Sequence, residues 1–320
     1  MCKFDAVVLG AGAAGLLCAI EAGKRGLRVA VLEHAERIGK KILISGGGRC
    51  NFTNLYCQPK NFISANEHFA KSALARYTPA DFIALIEKHG IPYHEKTPGQ
   101  LFCDRSAQDI INLLESECRS AGVQIFLQSR IREVQRTTEF IVRNESGEFR
   151  APVLVVATGG LSIPKMGATP LGYELARQFG LKIVETRPAL VPFVLAGKDR
   201  TRYCGLAGVS AEVIAKANHH AFREKMLITH RGLSGPAILQ ISSYSLRTGK
   251  TASPFISISL PIAIWRSQFV NRKSAMPPPH RKHFKESCQS DSPNAGWKTI
   301  HPPPGTMTLS QNGRTSCTTG

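Results

Sequence analysis

The chain has 320 residues, 42% of them apolar, which allows one large globular domain or two of ordinary size. Its 41 Lys and Arg against 23 Asp and Glu leave a formal charge of +18, yet these cations form no basic helix and no basic-aromatic stripe, so we expect no nucleic-acid partner. Nine cysteines occur without a C-x-x-C pair or metal-type spacing with histidine, which argues against a zinc site and a disulfide framework.

Targeting signals are also missing from the sequence pattern. Met1 leads almost directly into a predicted strand, which leaves no room for the regions of a signal peptide. No apolar run approaches the roughly 20 residues of a membrane span. We therefore expect a cytoplasmic protein with no membrane partner and no bound metal.

The first predicted unit is a strand, a helix and a strand within the first 33 residues. The apolar run 6–9 predicts a strand buried on both faces, and the Ala- and Leu-rich stretch 15–25 predicts a helix that stops at Gly26. A second buried strand is predicted at 27–32.

Further elements follow in chain order. Ser106 and Asp109 resemble a capping box at the start of an amphipathic helix whose apolar residues continue to Cys118. The other predicted elements are a hairpin of 139–142 and 148–151, a buried strand at 153–157, a helix at 173–179, a strand at 209–214, a helix starting near 234–236, and a strand at 255–260.

The string Gly10-Ala11-Gly12-Ala13-Ala14-Gly15 is the strongest chemical signal. A G-x-G-x-x-G string alone is weak, but this one follows a buried strand, opens a helix and is followed by Glu33 at the end of the second strand. In a dinucleotide site the first glycine permits the turn, the second lets the backbone approach a pyrophosphate and the third lets helix and strand touch. Glu33 would accept hydrogen bonds from ribose hydroxyls and would repel a 2′-phosphate. The alternative is a glycine turn without a ligand.

Two later strings carry the cofactor prediction further. Ser45-Gly46-Gly47-Gly48-Arg49-Cys50-Asn51 predicts a backbone nest for phosphate oxygens with Arg49 as fixed charge, or else a flexible loop. Ala157-Thr158-Gly159-Gly160 ends a predicted strand where backbone can approach a ligand. No second G-x-G-x-x-G occurs, so no separate NAD(P)H domain is expected.

These motifs resemble a known family. The strings GKKILISGGGRCNFTN at 39–54, ATGG at 157–160 and THRGLSGPAILQIS at 229–242 are similar to those of the BaiN/YhiN-like bacterial NAD(P)/FAD-dependent oxidoreductases. The resemblance runs from about residue 4 to Tyr244. It implies an α/β fold in which a Rossmann-type, glutathione-reductase-like FAD-binding domain receives an inserted, mostly β domain.

The resemblance also implies domain limits and a cofactor site. Residues 1–187 would form an incomplete FAD-binding domain, 188–244 the start of the inserted substrate or cap domain, and 245–320 an irregular basic tail. Thr229 to Pro236 would lie in the inserted domain, facing the substrate cavity. The FAD-binding residues would be Gly10, Gly12, Ala13, Ala14, Gly15, Glu33, Lys41, Gly47, Gly48, Arg49, Cys50, Asn51, Ile131, Ala157, Thr158 and Gly159.

The chain departs from the family pattern in three places. It has Gly99-Gln100-Leu101-Phe102-Cys103 where Gly-Arg-x-Phe-Pro is expected, and Thr169-Pro170-Leu171-Gly172 where Thr-Gly-x-Gly is expected. Beyond Tyr244 the segments that return to the FAD domain are missing, and 245–320 holds ten Lys and Arg, two Asp and Glu, and nine of the nineteen prolines. We interpret this change as a shift of reading frame near residue 245.

The function that follows is FAD-dependent oxidoreduction, with hydride transfer through flavin N5, an unknown small substrate and NAD(P)H as a candidate transient reductant. No catalytic residue is assigned; His230 is a candidate proton donor or a turn histidine, and Cys50 with Cys57 a candidate redox pair or ordinary buried thiols. The alternative is an inactive remnant that binds FAD weakly or not at all.

Overall fold

The computed structural model describes residues 2–96, 99–245, 256–259 and 306–309. Within these residues the α-helices are α1 (Ala13–Lys24), α2 (Lys40–Ile44), α3 (Lys71–Arg76), α4 (Pro79–Lys88), α5 (Gln108–Ser120), α6 (Leu171–Gln178), α7 (Gly197–Tyr203) and α8 (Pro236–Ser245). The strands are β1 (Cys2–Lys3), β2 (Ala6–Leu9), β3 (Val29–Leu32), β4 (Asn51–Asn54), β5 (Tyr93–Lys96), β6 (Gln100–Cys103), β7 (Gln124–Phe126), β8 (Ile131–Arg136), β9 (Phe140–Asn144), β10 (Gly147–Ala151), β11 (Val153–Val156), β12 (Phe193–Val194), β13 (Ser210–Ala217), β14 (His220–Thr229), β15 (Gly232–Ser234), β16 (Ile256–Ser259) and β17 (Thr306–Leu309).

The chain divides into two compact units, Met1–Val184 and Glu185–Gly320. The first holds three sheets beside its helices, and the second holds one sheet with α7 and α8. The predicted α/β fold class is confirmed. The predicted limits at residues 187 and 244, and the assignment of the second unit as an inserted substrate domain, stay predictions.

A parallel sheet in the order β11-β2-β3-β7 forms the centre of the first unit. Val8 pairs with Val31 on one side and with Val155 on the other. All residues of β2 and β3 are buried, as expected for apolar runs inside a parallel sheet. The strand, helix and strand predicted for the first 33 residues are confirmed, with the helix starting two residues earlier than predicted.

The predicted burial of β11 is wrong. Val153 is 49% exposed and Val156 43% exposed. In the described part of the chain β11 is an outer strand of its sheet and pairs only with β2. An apolar run indicates that a strand can be buried, whereas its position in the sheet decides whether both faces are covered.

The start of α5 also differs from the prediction. The Asp109 carboxylate does not complete a capping box, because both of its oxygens accept from the Arg105 guanidinium at 3.1 and 3.3 Å. Ser106 Oγ accepts from the Gln108 amide at 3.1 Å instead. The helix itself is present, and its apolar side lies in the core.

Helices α1 and α5 pack together in the largest core of the first unit, with Leu16 and Ile20 buried in one and Leu113 and Leu114 in the other. Each fully buried Leu or Ile stabilises the fold by about 2 kcal/mol relative to an exposed one. Helix spacing of apolar residues therefore positions α1, whose N-terminus follows the glycine turn.

A buried acid joins three helical segments at the edge of this core. Glu117 of α5 is 4% exposed and accepts from Lys88 Nζ at 2.7 Å, His89 Nε2 at 2.8 Å and Lys24 Nζ at 2.9 Å. Hydrogen bonds from Lys88, His89 and Lys24 lower the pKa of Glu117 from 4.5 to about 2. The charge is therefore paired, as burial requires.

The second unit is built on an antiparallel sheet in the order β12-β15-β14-β13-β16-β17. Ile238 and Ile241 of α8 are fully buried against it, together with Val213. The strand predicted at 209–214 corresponds to β13, and the strand predicted at 255–260 corresponds to β16. Strand β17 was not predicted, and the rest of the predicted irregular tail lies outside the described residues.

Within the described ranges, no helix combines the length and apolarity that a membrane crossing requires. No cluster of three or more His, Cys, Asp or Glu that could hold a metal ion occurs there either. Cytoplasmic localisation stays a prediction.

Candidate cofactor and active site

The glycine turn is packed too tightly for side chains at two of its positions. The Gly10 amide donates to Leu32 O at 2.8 Å, and a Cβ on Gly10 would lie 2.6 Å from Ala157 O. A Cβ on Gly15 would lie 2.0 Å from Gly10 O. These contacts bring the ends of β2, β3 and β11 together at the N-terminus of α1, so the first and third glycines of the motif are required by packing.

Gly12 differs from its two neighbours in the motif. A Cβ there would meet no protein atom within 4 Å, and the backbone is extended, at φ −82° and ψ −178°. Gly12 also lines the large cavity described below. Among the described residues nothing requires glycine at this position, so its missing side chain leaves open space that a ligand can use.

The N-terminus of α1 supplies the polarity of this open space. The helix has no side chain capping it, and its first-turn amides have no carbonyl partners within the helix. Such an end carries partial positive charge and binds phosphate oxygens.

Glu33 ties the glycine turn to the end of β3. Its Oε2 accepts from the Ala11 amide at 2.7 Å and its Oε1 from the Ala35 amide at 2.9 Å, and the residue is 8% exposed. His34 Nδ1 lies 3.0 Å from Oε1. The acid thus shapes the turn as well as lining the cavity. A carboxylate has further lone pairs for ribose hydroxyls, and that contact stays a prediction.

The cavity beside this turn has a volume of about 1320 Å³, above the roughly 300–1,000 Å³ typical of small-ligand sites. All of its lining residues belong to the first unit. The acidic and basic residues of its lining are Glu33, His34, Arg37, Lys40, Lys41, Arg130 and Glu174. Four Lys or Arg against two Glu leave the walls net positive, which suits a pyrophosphate.

Twelve of the predicted FAD-binding residues line this one cavity. They are Gly10, Gly12, Ala13, Ala14, Glu33, Lys41, Cys50, Asn51, Ile131, Ala157, Thr158 and Gly159. The structure therefore brings together positions from six separate parts of the chain. Lys41 Nζ donates to Ser162 Oγ at 3.2 Å, which fixes this cation beside the segment that follows the ATGG string.

Four predicted residues do not line the cavity: Gly15, Gly47, Gly48 and Arg49. Gly48 O accepts from the Ala107 amide and Arg49 O from the Cys103 amide, which fastens this loop to its neighbours. The Arg49 side chain is exposed. The loop is thus a defined turn, and FAD contacts by these four residues stay predictions.

Cys50 has the wrong environment for an activated thiol. It is 6% exposed, and burial raises its pKa, whereas reactive cysteines have lowered values. Burial likewise raises the pKa of Cys103 to about 12, with Cys50 nearby as a second cause. Cys50 and Cys57 both line the cavity as free thiols. The geometry thus favours ordinary thiols over a redox pair.

His230 lies in the second unit, at the turn between β14 and β15, and is exposed. The preceding Thr229 Oγ1 accepts from the Arg231 amide at 3.3 Å and the Gly232 amide at 3.1 Å, which closes the turn. A Cβ on Gly232 would lie 2.1 Å from Phe193 O, so the motif at 229–242 has a packing role. Proton donation by His230, and the orientation of 229–236 toward a substrate, stay predictions.

Sequence reasoning missed an aromatic wall of the cavity, made by Phe52, Phe62, Tyr77 and Phe82. Phe52 packs edge-on against Phe82 and Tyr93, with ring centroids 6.0 and 5.6 Å apart. The aromatic residues between 52 and 82 are visible in the sequence, but their spacing follows no period that predicts a common site. A flat ring fits against such a wall.

The residues present fit an FAD. The tight turn, the open space at Gly12, the free helix N-terminus and the cationic walls match an ADP group, and the aromatic wall matches a flat ring. Together with the parallel sheet, this site defines a Rossmann-type, FAD-binding oxidoreductase class.

Comparison with known proteins assigns the family. The model of the HI0933-like protein Rossmann domain matches residues 4–307, and the chain belongs to this family. It is 49% identical over 273 residues to a ribosomal RNA dihydrouridine synthase of Escherichia coli, covering 85% of this chain and 67% of that protein. It is 48% identical over 244 residues to the protein of the same name from Haemophilus influenzae, covering 74% and 61%.

A third relative acts on a small molecule, by its name. The chain is 30% identical over 249 residues to a 3-dehydro-bile acid delta(4,6)-reductase of Clostridium scindens, covering 74% of this chain and 59% of that protein. The chain thus spans about three fifths to two thirds of the length of these curated relatives.

Proposed function

We propose that this chain is a flavin-dependent reductase that saturates a carbon–carbon double bond conjugated to a carbonyl group, with uridine in ribosomal RNA as its substrate. The observation that carries the proposal is the 48–49% identity to two ribosomal RNA dihydrouridine synthases. Dihydrouridine differs from uridine by two hydrogens across C5–C6, a bond conjugated to the C4 carbonyl.

The bile acid relative supports the same reaction class. The delta(4,6) double bonds of a 3-dehydro steroid, C4=C5 and C6=C7, form a diene conjugated to the 3-keto group, as the uracil double bond is conjugated to its carbonyl. A conjugated carbonyl accepts a hydride at the distal carbon because the displaced electron pair moves toward oxygen. The reaction class is therefore common to relatives with very different substrates.

The cofactor of this proposal is FAD, with NAD(P)H as the source of reducing equivalents. When bound, reduced FAD supplies the hydride, and a proton from solvent or a side chain completes the product. The N-terminus of α1 and Lys41 would hold the pyrophosphate, and Glu33 the ribose. Gly12 leaves room for the phosphates to approach the backbone.

The second candidate substrate is a small conjugated ketone, which agrees with the small substrate expected from the sequence. The 30% identity to the bile acid reductase favours it, but less strongly than the two closer matches favour uridine. The RNA substrate departs from the expectation of no nucleic-acid partner, which rested on the distribution of charge along the sequence.

The test starts with the flavin content of the purified chain. We expect a yellow protein that, with NAD(P)H and unmodified ribosomal RNA, produces dihydrouridine, seen by mass spectrometry of nucleosides as a gain of two hydrogens. A parallel reaction contains a conjugated 3-keto steroid in place of RNA. Turnover of the steroid alone would favour the second candidate, and a colourless, inactive protein would favour the inactive remnant.

A further inference from the structure

The segment 54–77 exposes aromatic side chains that proteins usually cover. Tyr56 is 64% exposed, Phe69 76% and Phe62 47%, and Leu55 and Ile63 in the same segment are also more than a third exposed. Single exposed apolar residues are ordinary, but a group of five within one short segment marks an interaction surface.

This segment forms part of the rim of the cavity. Cys57, Phe62, Leu74 and Tyr77 line the cavity, while most of the residues between them are exposed. Phe62 does both, since it lines the cavity and keeps nearly half of its surface exposed. A ligand bound on the segment would therefore be continuous with a group inserted into the cavity.

The charge of the segment is positive. Lys60, Lys71 and Arg76 are exposed, and among the described residues none of the three forms an ion pair. The only acid of the segment, Glu67, lies 3.7 Å from His68 Nε2. Lys71 precedes Leu74 by three residues on α3, so a cation lies beside a cavity-lining side chain.

Exposed rings interleaved with unpaired cations match the chemistry of single-stranded nucleic acid. Bases stack on aromatic faces, and phosphates are attracted by Lys and Arg. The formal charge of +18 favours the same partner over a cationic or neutral one. An enzyme that acts on a base must also take that base into a pocket, and the rim position of the segment fits this requirement.

We infer that the segment 54–77 is the surface on which a single-stranded RNA lies while one of its bases enters the cavity. This inference rests on the proposed function for its substrate class. Tyr56 and Phe69 stack the flanking bases, Phe62 guides the entering base, and the three cations contact the phosphates.

The experiment measures binding of the full chain to a short, fluorescein-labelled, uridine-containing single-stranded RNA by fluorescence anisotropy. The double variant Tyr56→Ala, Phe69→Ala should bind about tenfold or more weakly, since each stacked base contributes substantially. The matched control is Leu181→Ala, Val184→Ala, which removes two apolar side chains that are 64% and 78% exposed elsewhere in the first unit. The control should bind like the wild type.

A second variant tests the cations. Lys60→Gln, Lys71→Gln, Arg76→Gln should reduce the slope of log K against log salt by about 2, as expected for three lost phosphate contacts on a single strand. Arg25→Gln, Arg177→Gln, Lys182→Gln removes the same charge from other exposed positions, none of which forms an ion pair among the described residues, and should leave most of the slope unchanged. Circular dichroism melting confirms that all four variants fold.

Three outcomes would overturn the inference: no RNA binding by the wild type, unchanged binding by both segment variants, or equal losses in variants and controls. Vesicles with anionic lipid are the second probe. If the variants of segment 54–77 lose vesicle binding but bind RNA like the wild type, the segment is a membrane-binding surface and the RNA assignment is rejected.

The two proposals fail in different ways. RNA binding that depends on the segment, without dihydrouridine formation, would reject the proposed function and leave the RNA surface standing. Dihydrouridine formation that is unaffected in both segment variants would reject the surface and leave the proposed function standing.

Discussion

Glu33 Oε2 accepts a hydrogen bond from the Ala11 amide at 2.7 Å, which couples the end of β3 to the centre of the glycine turn. The same carboxylate accepts from the Ala35 amide through its other oxygen. The shape of the turn therefore depends on one side chain, which also lines the cavity.

Glu33→Gln should lower both the melting temperature and the affinity for FAD. Glutamine keeps one acceptor oxygen but presents an NH₂ group to the other backbone N–H, and a buried unsatisfied donor costs about 1–3 kcal/mol. We expect FAD to bind about tenfold more weakly, measured by flavin fluorescence titration. Glu36→Gln, an exposed acid three residues on, is the control and should change neither quantity. Equal FAD affinity in both variants would contradict the assigned role.

Gly12→Ala should weaken FAD binding without destabilising the fold, whereas Gly15→Ala should destabilise the fold itself. The first places its methyl group in open space on an ordinary backbone conformation, so the melting temperature without FAD should be unchanged while FAD affinity falls. The second places a methyl group 2.0 Å from Gly10 O and should destabilise the fold by about 1–3 kcal/mol or more. Full FAD affinity in Gly12→Ala would show that no ligand approaches there.

Glu117→Gln should destabilise the first unit in a pH-dependent way. The folded protein holds the pKa of this acid at about 2 against 4.5 in the ordinary state, so ionised Glu117 stabilises the fold above pH 4.5. That stabilisation, about 2–3 kcal/mol, is lost as the pH falls from 4.5 toward 2.

Urea unfolding at neutral pH and through that acid range measures the effect. The difference between wild type and Glu117→Gln should shrink as the pH falls. The control is Glu115→Gln. Glu115 lies two residues before Glu117 on α5, is half-exposed and pairs with Arg119, so this variant should differ little from the wild type at any pH.

Alkylation by iodoacetamide should follow burial of the thiols. Cys2 and Cys18 are exposed and should react first, whereas Cys50, Cys103 and Cys118 are buried and burial raises the pKa of each. Peptide mapping by mass spectrometry gives the order. Rapid labelling of Cys50 would reveal a thiolate and restore it as a catalytic candidate.

Local patterns were sufficient for the elements with strong periodicity. The hairpin predicted around residues 144–147 is present as β9 and β10, with Val142 opposite Phe149. Helix α6 ends before Gly180, as its sequence indicates. The capping box at Ser106 failed because Arg105 competes for Asp109, a choice between neighbours that spacing alone does not determine.

The cavity shows a different limit. The twelve predicted residues that line it were found through glycine motifs and family resemblance, because phosphate binding requires particular residues at particular spacings. The aromatic wall was missed because stacking requires only a ring at the right place. The unpaired cations of 54–77 form no stripe in the sequence, and their position beside exposed rings at the rim is visible only in three dimensions.

The sequence by itself determined the strand, glycine turn and helix at the N-terminus, since backbone sterics and apolar periodicity act over a few residues. Tertiary structure decided which of these residues line one cavity, that Glu33 holds the turn through two backbone amides, and that Val153 and Val156 of β11 stay exposed. Those features depend on contacts between distant parts of the chain, whose distances no local pattern encodes.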